Sequence, residues 1–355
     1  MTTSDFQGNP TVTRLNWDFA PAAEFAARAD AWDALNESGP RSPLLEARYI
    51  LTAIESLGVG SERIAVGTLE DSGELAVMAV LARAGSLRWQ TFQPSQCPLA
   101  PLVIGKPVPV SEVAESLAGA LGIGAQMLSL TQLDPDLYDR PVDKGGLSTL
   151  AHIDTARITV AGSFDDYWAG RGKNLRQNLK KQRNRLEKAG VSLRLAMLED
   201  PSAMAAGVSA YGALESASWK GAAGSAVAAD NRQGAFYTAL LEAYAASGDA
   251  MVAQYFFDDA LVASDLCVSG FGTYVILKTT YDEQQGRFSP ALLMRQSLFP
   301  AFFDEKRYQR IEFYGRVMEW HRRWSDEIRE LYHVNFIKNP LVKAARDIVR
   351  ARAGG

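Results

Sequence analysis

The stretch YVILKTTYDEQQGRFSPALLMRQSLFPAFF, Tyr274–Phe303, decides the fold. Its β-branched and aromatic opening reads as a strand, and its close reads as a helix. A polar loop lies between. Ser289 and Pro290 mark the helix start. Serine is a good N-cap, and proline at the first helical position lacks an N–H that would be unpaired anyway. The helix N-terminus, with roughly half a positive charge, then faces the strand's end, an arrangement that suits an anion. Arg287 lies two residues before the cap and adds a full charge. Two readings stay open: an ordinary capped helix, or a phosphate site.

Outward from this junction the pattern is regular. AMVAQYFFDDALVASDLCVSGFGTYVILKTTY reads as a three-stranded meander, turning at Asp258-Asp259 and Ser269–Gly272. Before it come a strand, VSLRLAML, and two helices joined by the glycine-rich KGAAGSAVA. Asp200 caps the first helix, with Pro201 at its first position. After it come a strand at RIEFYG, a helix around RRWSDEIRE and a strand at YHVNFI. The N-terminal half shows the same order: a strand, two helices, three strands, a helix over SEVAESLAGALG and a strand at AQMLSLTQL. Between the halves, DRPVDKGGLSTLAHID carries proline, two glycines and no periodicity, so it reads as a boundary. We therefore divide the chain into 10–138, a linker strand and basic helix at 139–190, and 191–345.

Composition excludes several classes. The chain has 355 residues, 47% hydrophobic and 22% charged, with net charge −4. That length suits two domains, and that charge gives no general pull toward DNA. No apolar run reaches the ~18 residues of a membrane span, and the first residues do not read as a signal peptide. The expected location is the cytoplasm, with peripheral attachment to the inner membrane as one option. Cys97 and Cys267 lack metal spacing, and three histidines are too scattered for a metal site, so none is expected. One segment departs from the average. Residues 171–188 hold eight basic side chains against one acid, Glu187, with Leu175, Leu179 and Leu186 forming a narrow apolar stripe. The helix is docked. Its charged face is either simply solvated or bound to an anionic partner.

The order of elements resembles the GNAT acyltransferase fold, and several blocks resemble the CelD-like (cellulose-biosynthesis) acyltransferases, relatives of the Fem-type aminoacyl transferases. GKNLRQNLKKQRNRLEKAG resembles their basic helix. SWKGAAGSAV resembles their Trp-Lys-Gly loop. LKTTYDEQQGRFSPALLMRQSL resembles their Tyr-Asp-Glu…Ser-Pro-Gly stretch, and IEFYGRVMEWHRRWSDE their closing strand and Arg/Trp-rich segment. Alanine at 291 stands where those proteins have glycine, and His321 where they have lysine. The resemblance implies an α/β (α+β) chain of tandem GNAT-like domains, with mixed central sheets flanked by helices. It implies acyl-CoA, or an acyl carrier protein, as co-substrate with no permanently bound cofactor. The acceptor would be an amine on a polysaccharide precursor or a lipid. Alternatives are aminoacyl-tRNA-dependent transfer and a non-catalytic, nucleotide-sensing module.

Candidate residues follow. The strand edge at Val275 and Leu277, together with Arg287, Ser289 and Ala291, is expected to hold the donor; a backbone N–H within Val275–Thr279 would polarise the thioester carbonyl. Trp219, Lys220, Lys278, Asp282 and Tyr314 are expected near the acceptor. Glu312 shares a strand face with Tyr314 and is a candidate base. Asp265 is a carboxylate in an apolar strand, either a structural ion-pair member or a base. His321 is a candidate titrating group, and Tyr281 a candidate proton donor to the leaving thiolate.

Overall fold

A computed structural model describes residues 14–105, 107–217, 227–228 and 231–339. Among these residues thirteen strands form one sheet. They are β1 Leu15–Pro21, β2 Arg63–Leu69, β3 Leu75–Gly85, β4 Arg88–Thr91, β5 Leu102–Ile104, β6 Met127–Leu133 and β7 Leu147–Thr159. Then follow β8 Leu193–Leu198, β9 Ala250–Phe257, β10 Ala260–Gly270, β11 Thr273–Tyr281, β12 Arg310–Glu312 and β13 Glu327–Ile337. The order across the sheet is β1-β2-β3-β4-β6-β13-β7-β12-β11-β10-β9-β8, with β5 added to β3. Each flank is an antiparallel meander that ends in one parallel pair, β4 with β6 and β11 with β12. At the centre each half lends its last strand to the other: β13 pairs with β6, β7 pairs with β12, and the two lent strands pair with each other.

This exchange explains two differences from the sequence reading. Residues 147–154, read as loop, form the first part of β7. They do not alternate in burial, so they carry no period of two. The helix read around RRWSDEIRE is shorter, Glu319–Trp324, and Glu327–Glu330 already belong to β13. Those charges resemble a helix surface, but in the sheet they pair sideways: Arg157 donates to Glu327 at 3.0 Å and Arg329 to Asp134 at 2.8 Å.

Helices cover both faces. We number them α1 Ala29–Ser38, α2 Ala47–Leu57, α3 Val110–Ala120, α4 Phe164–Ala169, α5 Lys173–Lys188, α6 Pro201–Ser216, α7 Arg232–Ala245, α8 Pro290–Glu305 and α9 Glu319–Trp324. On one face α1 and α2 of the first half share a core with α6 and α7 of the second, through Trp32, Tyr49, Phe236, Tyr237 and Tyr244. On the other face, α3 packs under the first half. There α4, α5 and α8 pack under the second, where Leu175, Leu179 and Leu186 dock α5 beside Phe299 and Phe302 of α8. Tyr244 donates to the Pro43 carbonyl, and Arg48 bridges Glu46 to Asp249, tying the halves together.

The parallel pairs place the site. Each holds only three residue pairs before the strands part. In the first half the gap is bridged. Thr91 and Thr131 hydroxyls lie 2.6 Å apart, Thr131 N–H donates to the Thr91 hydroxyl, Thr131 Oγ1 donates to Gln93, and β5 extends the edge of β3. In the second half the last pair is Val275 with Glu312. Beyond it, among the described residues, Ile276–Tyr281 has no strand on that side.

Candidate active site

The open edge of β11 carries a bulge. Its register against β10 runs Cys267↔Ile276 and then Leu266↔Lys278, so Leu277 has no cross-strand partner. A bulge shifts the alternation of faces by one residue. Val275 and Leu277 pack against the α6/α7 core. Lys278 turns to that side too, with Nζ 3.5 Å from Glu215 of α6 and 5.7 Å from the Tyr237 ring. Ile276 and Thr279 face α8. The bulge therefore leaves a main-chain position at the mouth of the open gap, two residues past the Val275–Glu312 pair.

On the α8 side a pocket of about 380 Å³ runs from this edge to the first turn of α8. Its walls are Thr279 and Tyr281 on β11, Ser289 and Ala291 at the helix start, and Trp320 and His321 across the gap. The cap differs from the sequence reading. Ser289 adopts a left-handed conformation, φ 54°, and its hydroxyl caps nothing. Its carbonyl accepts from Leu292 and Leu293 N–H. Pro290 has no N–H, which leaves Ala291 N–H as the donor of the first turn with no acceptor among the described residues. Arg287 is exposed against the Phe288 ring, at 4.7 Å, and does not line the pocket.

The floor of the pocket is ionic. Arg295 of α8 is 1% exposed and donates to both oxygens of Asp265, which is fully buried, and to Thr279 at 2.6 Å. This corrects Asp265 as a catalytic base. Its lone pairs are committed to a cation that joins β10, β11 and α8. His321 is corrected as well. Its Nδ1 accepts Met318 N–H at 2.8 Å and its ring stacks on Trp320. Burial and the nearby Arg295 push its pKa down to about 4. It is neutral at pH 7, with the remaining ring proton on Nε2. Asp282 accepts Gln284 N–H and caps the short 3-10 helix Glu283–Phe288. Tyr281, on the pocket wall, is four residues beyond Leu277, roughly 13 Å along a strand.

A second cluster lies across the gap; the sequence offered its Glu312 and Tyr314 but not Asp134 or Arg329. Arg329 of β13 donates to Asp134 through Nε at 2.8 Å and Nη2 at 2.6 Å, and to Glu312 at 2.9 Å. Tyr314 donates to Asp134 at 2.9 Å, which occupies the hydroxyl expected near the acceptor. Burial raises the Glu312 pKa to about 7, with Arg329 opposing the rise. Burial also acts upward on Asp134, but hydrogen bonds and charge from Arg329 outweigh it and hold that carboxyl below its usual range. Asp134 and Arg329 lie 195 residues apart. No local motif joins them; the strand exchange does.

Trp219 and Lys220 lie outside the described residues. The chain re-enters beside the site: Val227 N–H donates to Glu215 at 2.8 Å, and a β-carbon at Gly212 would fall 2.5 Å from the Val227 carbonyl. Cys97 and Cys267 are buried thiols, with Cys97 pushed up to about 12 by burial. Among the described residues no cluster of three or more ligating side chains could hold a metal, and no helix is long and apolar enough to cross a membrane.

Residues 173–322 match the family model of the acetyltransferase (GNAT) domain. The match spans α5 to α9, and so includes the open edge, the pocket and Glu312. It supports an acyltransferase. No curated protein matches the chain. Solved structures share the fold over nearly its whole length. The C-terminal DUF2156 domain of a putative lysylphosphatidylglycerol synthetase from Agrobacterium fabrum is 14% identical at TM-score 0.54, covering 93% of this chain and 96% of that one. FemX is 10% identical at TM-score 0.58, covering 89% and 98%. A conserved protein of unknown function from Bacteroides thetaiotaomicron is 11% identical at TM-score 0.55, covering 88% and 97%.

Proposed function

We propose that the protein is an N-acyltransferase of the CelD-like type. It passes an acyl group from a coenzyme A or carrier-protein thioester to an amine on a polysaccharide precursor or lipid. The observation that carries this reading is the bulge at Leu277, two residues past the last parallel pair, Val275 with Glu312, where the strands part. The donor's pantetheine lies along β11 in the pocket, with its phosphates toward Ala291 N–H. The amine approaches from the α6/α7 side. Glu312 takes its proton, nitrogen bonds to the thioester carbon, and the main chain at Leu277 stabilises the oxyanion. The C–S bond then breaks. A thiol of pKa about 8.5 leaves near neutral pH without a dedicated acid.

Donor binding is tested at Ser289. Aspartate tolerates the left-handed region, so Ser289→Asp should fold normally. It places a negative charge where the donor's phosphates rest, and like charges at ~4 Å cost about 1–4 kcal/mol at a protein surface. Calorimetric titration with acetyl-coenzyme A should show affinity lowered roughly tenfold or more. Wild-type affinity would place the donor elsewhere.

The basic helix serves the same donor in this reading. Lys180, Lys181 and Arg185 are exposed, while α5 packs against α8 and the 283–288 turn beside the pocket. Arg183 reaches Ser297 of α8 at 3.3 Å. The exposed face suits the phosphates of coenzyme A, an acidic carrier protein or an anionic inner-membrane surface. Lys181→Glu with Arg185→Glu should weaken that partner, with the thermal melt unchanged. Unaltered donor affinity, carrier binding and vesicle sedimentation would return the helix to a solvated face.

A further inference from the structure

Glu312 does not stand alone, and the first half of the chain reaches it. We infer that Arg329 is the positioning residue for Glu312, and that Asp134, from the first half, sets how much of its charge Glu312 receives. The inference rests on reading Glu312 as the base.

The geometry gives each group its part. Arg329 lies between two carboxylates. Its Nη2 is shared, 2.6 Å from Asp134 and 2.9 Å from Glu312, while Nε donates to Asp134 at 2.8 Å with Asp136 3.3 Å away. The stronger and bidentate claim is therefore Asp134's. A cation fully free for Glu312 would pull its pKa toward the ordinary carboxylate range, and the base would be weak. A missing cation would leave a buried carboxyl that keeps its proton at neutral pH. The shared guanidinium holds it between these limits. It also fixes the carboxylate's direction at the point where β11 and β12 part.

Other charges face the same place. Arg157 of β7 pairs with Glu327 and Asp136, Asp136 lies 3.3 Å from Arg329, and Tyr314 donates to Asp134. Arg157 is also the cross-strand neighbour of Glu312, and its charge opposes the rise of the Glu312 pKa, as that of Arg329 does more strongly. The three central groups come from β12, from the residue just past β6 and from β13. The exchanged strand β13 brings Arg329 against the first half's Asp134. The first half, whose own gap is bridged by threonines, still completes the site.

Titration of Glu312 by carbon NMR, with its side-chain carboxyl labelled, tests this without knowledge of the acceptor. The Glu312 signal is assigned by its loss in Glu312→Gln. The wild-type midpoint should fall near 7. Arg329→Gln should raise it by about one unit, a tenfold change in proton affinity. Asp134→Asn should lower it, because a neighbouring negative charge is removed and Arg329 then turns wholly to Glu312. Arg329→Lys should stay near wild type. If Arg329→Gln does not fold, a lowered midpoint in Asp134→Asn beside an unmoved one in Arg329→Lys still decides. Opposite shifts in Asp134→Asn and Arg329→Gln support the inference, since loosened packing would move every variant the same way. Unmoved midpoints in Asp134→Asn and Arg329→Gln, or shifts of one sign, would overturn it. Glu312→Gln that retains full acyl transfer would instead overturn the base assignment.

Discussion

Asp265→Ala is expected to destabilise the fold by about 3–5 kcal/mol, the usual cost of breaking a buried ion pair on one side. Arg295 would keep its charge at 1% exposure, with Thr279 and the Trp320 ring, 4.4 Å away, as its remaining neighbours. Replacing both members, Asp265→Leu with Arg295→Met, should recover much of the loss, since well-packed apolar residues often substitute for such pairs. Urea denaturation of the three proteins measures this. A loss below about 1 kcal/mol in the single variant would mean that water enters and screens Arg295. Donor affinity should fall in the double variant although stability returns, because Arg295 forms the floor of the pocket. A merely structural pair would leave donor affinity at the wild-type value.

The same pair shows what the sequence could and could not carry. An aspartate inside LVASDLCV announces that it needs a partner, but the partner lies 30 residues away on a helix. Arg295 looks like any helical arginine. The meander and the helix start at Pro290 were legible, since local rules fix them. Ser289 was legible as a terminus and misread as a cap: its backbone is left-handed and its hydroxyl makes no capping bond. The bulge at Leu277 was invisible: the apolar run that opens YVILKTTY has no alternation to break, and the slip exists only against β10. The exchange of β7 and β13 was invisible for the same reason. Strand pairing between residues this far apart leaves no periodic trace within either segment, and charged β13 resembled a helix because its charges face partners and not water.

Glu312→Gln is expected to lower acyl transfer about 10²–10⁴-fold, the usual contribution of a general base. The pH profile separates this from a structural effect. In the wild type the rate should climb with pH and level off above the Glu312 pKa of about 7, because only the carboxylate accepts the amine's proton. The variant should lack that limb and rise with hydroxide or with the fraction of free amine. Stability runs the other way. A carboxyl whose pKa is raised by folding binds its proton more tightly folded than unfolded. Its folded form therefore loses stability as pH rises from about 4.5 to about 7. Glutamine carries no such charge, so the variant should melt no lower than wild type at pH 8, although it is nearly inactive there. Stopped-time assays of thiol release from acetyl-coenzyme A with a panel of long-chain and sugar amines give the profile, and calorimetry gives the melts. If an inactive variant also melts well below wild type at pH 8, Glu312 is a structural partner of Arg329 and the base lies elsewhere. Loss of the acid limb with the fold intact assigns the proton transfer to Glu312, at the end of β12 where the second half's sheet opens.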